Sequence, residues 1–320
     1  MSDHGLAQAS PVPHRVQIVE VGPRDGLQND PAILDATTKA AFIQRCLDAG
    51  ASRIEAASFV NPARVPQMAD AEAVLELLRP DGRVPDGASL IGLVLNERGY
   101  ERARLTPIDE VNLVVMVTDE FSQRNQGMST QDAVDVVRTV APAALDDGFV
   151  PTVTLSASFG CPFTGEVPVE RLAEVVAQVA DTGVTEVAIA DTIGVAVPAD
   201  VRERVQAARR VLAETGNGEV SLRAHFHNTR NTGYANALAA YEAGVGVLDA
   251  SVGGVGGCPF APRATGNIAT EDLVYALERS GVRTGLDLAA LIETSEWLGE
   301  QLGRPTPSLV SRAGDFPAAS

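Results

Sequence analysis

Short β-rich runs alternate with helical patterns along almost the whole chain, and this alternation limits what it can fold into. The runs fall at Val16–Val21, Arg53–Ala57, Leu90–Leu95, Val111–Met116, Thr152–Leu155, Glu186–Ala190, Ser221–His225 and Leu248–Val252. Helical patterns occupy Thr37–Ala49, Val65–Leu78, Glu97–Arg104, Thr130–Asp146, Val169–Thr182, Ala199–Glu214, Asn231–Ala243 and Thr270–Ser280. Several end at a glycine (Gly50, Gly148, Gly183, Gly244), the residue that most easily takes the left-handed turn closing a helix. Strands joined through helices pair in parallel. Eight such units predict an α/β fold, a (β/α)8 TIM barrel with extra C-terminal helices. An open doubly wound sheet would carry Gly-x-Gly-x-x-Gly after the first strand, which this chain lacks. No linker interrupts the pattern, so one barrel domain is expected over residues 15–303. A flexible polar segment at 1–14 precedes it. Leu286–Gln301 adds a helix, and the tail at 304–320 reads as a loose end.

Charge narrows the partners. The net charge of −17 disfavours nucleic acid and anionic membrane surfaces, which call for clustered cations. No run approaches the roughly 20 apolar residues that span a bilayer. Three cysteines (Cys46, Cys161, Cys258) and no export signal fit free thiols in a reducing cytoplasm. Cys46 falls on the apolar stripe of the first helix and reads as core. Cys161, in a Cys-Pro-Phe step after the fifth strand, reads as structural.

In a parallel barrel the chemistry sits where strands end, and chemically capable residues recur there. The first strand runs into Arg24-Asp25 between Gly22-Pro23 and Gly26. The second contains Glu55 and exits into Ser58. The sixth ends at Asp191-Thr192, and the seventh at His225-Phe-His227. Residues two apart on a strand face the same way, roughly 6.6 Å apart along the backbone, so the two histidines can converge on one metal. Asp25 and the Asn267 amide can supply oxygen ligands. Such a mixed set leaves positions open for substrate oxygens and suits Mg²⁺ or Mn²⁺ better than a closed zinc site. A buried Glu55 could hold Arg24, and a fixed guanidinium stabilises a developing oxyanion.

The eighth strand enters Ser251-Val-Gly-Gly-Val-Gly-Gly-Cys258-Pro-Phe-Ala-Pro-Arg-Ala-Thr-Gly-Asn267, with five glycines, one cysteine and one asparagine. Glycine at that density fits a mobile lid or a backbone that approaches a ligand closely.

These segments resemble 3-hydroxy-3-methylglutaryl-CoA (HMG-CoA) lyase. The resemblance is carried by Val19-Glu-Val-Gly-Pro-Arg-Asp-Gly-Leu-Gln28, Glu55-Ala-Ala-Ser-Phe-Val-Asn-Pro-Ala-Arg-Val-Pro-Gln-Met68 and Asp191-Thr-Ile-Gly194. His225-x-His227, Gly256-Gly-Cys-Pro-Phe260 and Gly266-Asn-Ile-Ala-Thr-Glu-Asp-Leu-Val-Tyr275 extend it over roughly residues 15–300. The histidine pair and the Arg-Asp-Glu set alone would indicate only a wider metallolyase superfamily that includes Claisen-type synthases. The resemblance implies a divalent cation, Mg²⁺ or Mn²⁺, held by Asp25, His225, His227 and Asn267. It implies Arg24 as the group stabilising an acetyl-CoA enolate, Glu55 as its partner, and Cys258 as a loop thiol in proton transfer. Arg24, Gln28, Ser58, Asp191, Thr192 and Arg263 form the expected substrate wall. The implied reaction is retro-Claisen cleavage of HMG-CoA, or a related 3-hydroxyacyl-CoA, to acetyl-CoA and a 3-oxo acid such as acetoacetate. Asp25 serves as both ligand and base, or a separate base exists. A homodimer is implied by analogy with the family.

Four positions depart from the family pattern. Asn228 follows the second histidine where Asp is common, which is nearer the synthase branch and supports an alternative, a synthase condensing acetyl-CoA with a 2-oxo acid. Pro262-Arg263 stiffens the glycine loop, and Arg263 is placed to meet a CoA phosphate or an acyl carboxylate. Ala188 replaces a serine near the acyl group.

Overall fold

The computed structural model describes residues 14–78, 84–257 and 266–317. Eight parallel strands close a barrel: β1 Gln17–Glu20, β2 Arg53–Ser58, β3 Ser89–Val94, β4 Glu110–Met116, β5 Val150–Ser156, β6 Glu186–Asp191, β7 Ser221–Phe226 and β8 Val247–Ala250. Closure comes from β1 pairing with β8, Gln17 opposite Val247 and Glu20 opposite Ala250. The strands are almost wholly buried, with one face against helices and the other filling the barrel. This explains their near-continuous apolar runs.

The surrounding helices are α1 Ala36–Asp48, α2 Ala71–Leu78, α3 Glu97–Ala103, α4 Asp119–Gln126, α5 Thr130–Asp146, α6 Val169–Ala180, α7 Pro198–Glu214, α8 Gly233–Glu242 and α9 Thr270–Arg279. α10 Leu288–Leu302 and the short α11 Val310–Ala313 follow. Local chemistry marks their starts: Asp35 caps α1 by accepting from the Thr38 amide at 2.7 Å, and Ser129 with Asp132 forms a capping box on α5. Cys46 is fully buried on the inner stripe of α1, as its position predicts. Cys161 is buried in a hairpin of Gly160–Cys161 with Gly165–Glu166, its sulfur accepting from the Thr118 hydroxyl at 3.1 Å.

Three expectations change. The helix expected over Val65–Leu78 is a 3-10 turn at Pro66–Met68 followed by α2. Helix α4 was not anticipated; its sequence is polar and buries only Phe121 and Ser122. The segment after α10 is not loose. The Ser308 amide donates to Gly253 O at 3.1 Å, the Ser308 hydroxyl donates to Asp272 at 2.8 Å, and the Ser311 hydroxyl donates to Glu271 at 2.7 Å. Most of the N-terminal segment expected to be flexible, residues 1–13, lies outside the described residues.

The inside of the barrel is unusually charged for a core. Arg53 on β2 bridges Glu110 on β4 and Glu186 on β6, at 2.6 and 3.0 Å, at the end away from the cavity. Val19, Val21, Ile91 and Val247 form the small apolar cluster on this inner face.

Candidate active site

At the end of β1 the chain makes a tight turn over Gly22–Gly26, with the amides of Arg24, Asp25 and Gly26 all donating to Val21 O. This turn aims Arg24 and Asp25 into a cavity of about 140 Å³ at the C-terminal end of the barrel. Arg24 Nε donates to Glu55 Oε2 at 2.6 Å, a second guanidinium nitrogen closes on the same oxygen, and Nη1 donates to Asp25 Oδ1 at 2.7 Å. Both carboxylates therefore grip one guanidinium, and Glu55 is buried as expected. Charge-assisted contacts of this length fix its orientation.

β7 delivers the histidines. His225 lies on its inner face and His227 just past its end, with ring centres 5.1 Å apart. The ligand atoms of Asp25, His225 and His227 lie within 4.8 Å of one another. Asn267 bridges to His227 along the backbone, and its amide donates to Asp25 Oδ2 at 2.9 Å and to Val255 O at 3.1 Å. Its Oδ1 is buried with no protein partner. A carboxylate, two imidazoles and a fixed amide oxygen fit a divalent cation with open positions.

Electrostatics agree with this donor set. Burial disfavours charge on Asp25, but Arg24 and the two histidines outweigh it and hold the carboxyl at about 2. Burial, then the neighbouring His225, push His227 down to about 4, so its ring is neutral at neutral pH. His225 moves the other way: burial lowers it, but the hydrogen bond and charge of Asp249 prevail and raise it. Asp249 accepts from or faces His225 Nδ1 at 3.1 Å, which leaves Nε2 for a ligand.

The glycine loop is anchored at both ends beside this cluster. At Gly256, φ is 134°, and a Cβ there would lie 2.5 Å from Asn267 Nδ2; at Gly266, φ is 100°, and a Cβ would lie 2.5 Å from Gly256 O. Only glycine permits the two strands of the loop to meet at Asn267. The Asn29 side chain also ties the loop to the β1 turn, donating to Gly257 O at 3.0 Å. Cys258 and Arg263 lie outside the described residues.

Of the remaining expected wall residues, Gln28 and Thr192 line the cavity with Arg24. Ser58 and Asp191 do not. A bulge in β2 between Glu55 and Ala57 sets Ser58 opposite Leu93, but its hydroxyl is fully buried and unpartnered. Asp191 turns its carboxylate back onto the Val195 and Ala196 amides at 2.9 and 3.0 Å, capping its own loop. The wall residues not expected from the sequence include Asn112 on β4 and Asp249 on β8. Each is a polar residue inside an apolar strand, and that interruption was the available signal.

A closed parallel barrel with this constellation at its C-terminal mouth defines a (β/α)8-barrel enzyme. The sequence profile of the HMGL-like family matches residues 15–298, and the chain belongs to that family. It is an HMG-CoA lyase-like oxo-acid lyase. It is 44% identical over 305 residues to (R)-citramalyl-CoA lyase of Chloroflexus aurantiacus, covering 93% of this chain and 95% of that protein. It is 36% identical over 298 residues to hydroxymethylglutaryl-CoA lyase YngG of Bacillus subtilis, covering 93% and 97%. Among solved structures, an HMG-CoA lyase of Acinetobacter baumannii in complex with coenzyme A and 3-methylmalate superimposes with a TM-score of 0.88 at 35% identity, covering 98% and 99%. Among the described residues, no helix is long and apolar enough to cross a membrane.

Proposed function

We propose that this enzyme cleaves a 3-hydroxy-3-methyl-acyl-CoA carrying a free carboxylate, with HMG-CoA as the lead substrate, by a retro-Claisen reaction. The observation carrying this reading is the Arg24 guanidinium, clamped by Glu55 and Asp25 directly beside the Asp25–His225–His227 cluster. A base removes the C3 hydroxyl proton. The C2–C3 bond then breaks, and its electron pair becomes an enolate with charge on the thioester oxygen. The products are acetyl-CoA, after protonation at C2, and an oxo acid. Arg24 is oriented to meet the thioester oxygen, where preorganised charge contributes most. Asp25, His225, His227 and Asn267 would hold Mg²⁺ or Mn²⁺, whose positive charge favours ionisation of the substrate hydroxyl. Cys258, by its position in the glycine loop, is proposed to protonate the enolate carbon.

A second substrate is favoured by the 44% identity to a citramalyl-CoA lyase. Citramalyl-CoA lacks one methylene relative to HMG-CoA and would release pyruvate instead of acetoacetate; the bond cleaved is the same. The test is a parallel assay of both acyl-CoA esters with protein stripped by EDTA and reloaded with Mg²⁺ or Mn²⁺. Metal-dependent release of acetyl-CoA is expected, and the faster ester identifies the substrate. Release from neither, with free CoA formed from acetyl-CoA and a 2-oxo acid, would replace the lyase reading with a synthase. Loss of activity in Cys258→Ala tests the proton donor. A homodimer and a cytoplasmic location belong to the same proposal, the former checked by light scattering.

A further inference from the structure

The clamp on Arg24 continues into the barrel through a residue with no part in the chemistry above. Asn112 shares the inner face of β4 with Glu110, Val114 and Met116, and is 1% exposed. Its Nδ2 donates to Glu55 Oε1 at 2.8 Å. Its Oδ1 accepts from the Thr154 hydroxyl at 3.1 Å and the Thr152 hydroxyl at 3.3 Å. Thr154 Oγ1 in turn accepts from Arg223 Nη2 at 3.2 Å. A guanidinium can only donate, so the Thr154 proton must point at Asn112, and the Asn112 amide nitrogen must point at the carboxylate. The run from Arg223 through Thr154 and Asn112 to Glu55 therefore has one direction, from a guanidinium that only donates to a carboxylate that accepts.

We propose that Asn112 is a positioning residue for Arg24, acting through Glu55; the proposal rests on the retro-Claisen reading of the site. Glu55 has two oxygens and two tasks: Oε1 takes Asn112, and Oε2 alone takes the guanidinium. With Asn112 in place, Glu55 cannot turn to meet Arg24 with both oxygens. Without it, the carboxylate is free to rotate into a two-oxygen pairing, which draws the guanidinium toward β2 and away from the reacting oxygen. Buried networks of this kind fix geometry only when every member is satisfied.

Asn112→Leu keeps the approximate volume and removes both halves of the relay. A displacement near 1 Å at the reacting centre costs on the order of 10²-fold in rate, so kcat is expected to fall about 10- to 100-fold. KM for the acyl-CoA and Kd for Mn²⁺ should change little, because Asp25, His225, His227 and Asn267 are untouched. Thr154→Val, which leaves Asn112 Oδ1 only the longer bond from Thr152, should lower kcat in the same direction by a smaller factor. Wild-type kcat in Asn112→Leu, or a fall in kcat matched by lost Mn²⁺ affinity, would overturn the proposal. If Asn112→Leu does not fold, unchanged kcat in Thr154→Val overturns it. Wild-type protein inactive on both esters would instead sink the functional reading. In that event a crystal structure of either variant decides: an unrotated Glu55 overturns the positioning role.

Discussion

Asp249 Oδ2 lies 3.1 Å from His225 Nδ1, inside a barrel where Arg223 stands 3.5 Å from the other Asp249 oxygen. The carboxylate fixes the ring orientation and also favours its proton. A cation must displace the Nε2 proton of the protonated ring, because only a neutral imidazole can ligate. His227, at about 4, and Asp25, at about 2, are already deprotonated above pH 5. Cation affinity should therefore fall as pH drops from 8 to 5, with a slope of roughly one proton assigned to His225. Asp249→Asn should flatten this slope while weakening binding at pH 8 by about 10- to 100-fold. Mn²⁺ titrations across pH check both; an unchanged slope would remove Asp249 from the role.

Arg24→Gln should separate catalysis from cation binding. The guanidinium joins the proposed cation-binding cluster through its contact with Asp25. Losing one preorganised donor to a developing oxyanion costs about 10²- to 10³-fold in kcat. Mn²⁺ should still bind, and equilibrium dialysis against steady-state kinetics gives the comparison.

Asn267→Ala should act on cation binding first. It deletes the unpartnered Oδ1 and also the amide that holds Asp25 Oδ2 and Val255 O. Cation affinity should fall by at least about tenfold, with a lower melting temperature from the freed loop base. Intact Mn²⁺ binding in this variant would exclude Asn267 as a ligand.

Glu20 makes stability depend on pH. Burial pushes its carboxyl up to about 8 from an ordinary value of 4.5, against the opposing bonds from Thr270, Val252 and Gly22. Between these values the folded chain keeps a proton that the unfolded chain gives up. The stabilisation is full below pH 4.5 and is lost as pH rises toward 8, on the order of 5 kcal/mol for such a shift. Glu20→Gln mimics the protonated form, so it should melt higher than wild type at pH 8 and lose most of that advantage at pH 5. Equal melting temperatures at pH 8 would contradict the shift.

The barrel was legible because buried parallel strands leave short apolar runs, and because polar residues at their ends fall in one ring. Arg24, Asp25, His225 and His227 converge for that reason, whereas Glu55, inside β2, and Asn267, past the glycine loop, join them from elsewhere. Asp249 and Asn112 were passed over because they interrupt strands instead of ending them, and period alone does not say which face turns inward. Ser58 shows the same limit: a bulge resets its register. Helix α4 carries too few apolar residues for periodicity to reveal it. The docking of the tail depends on serine hydroxyls meeting carboxylates, Glu271 and Asp272, about 40 residues away in sequence, a pairing that no local pattern encodes.

That docking makes the last residues a mechanical strut. Ser308 holds the carbonyl of Gly253, and Ser311 holds Glu271, which itself accepts from the Gly253 amide. Gly253 sits at the root of the glycine loop, so both backbone groups of this one residue are braced from the C-terminal side. A bulky fusion at the C-terminus would load this brace and, through Ser308 and Ser311, the backbone of Gly253.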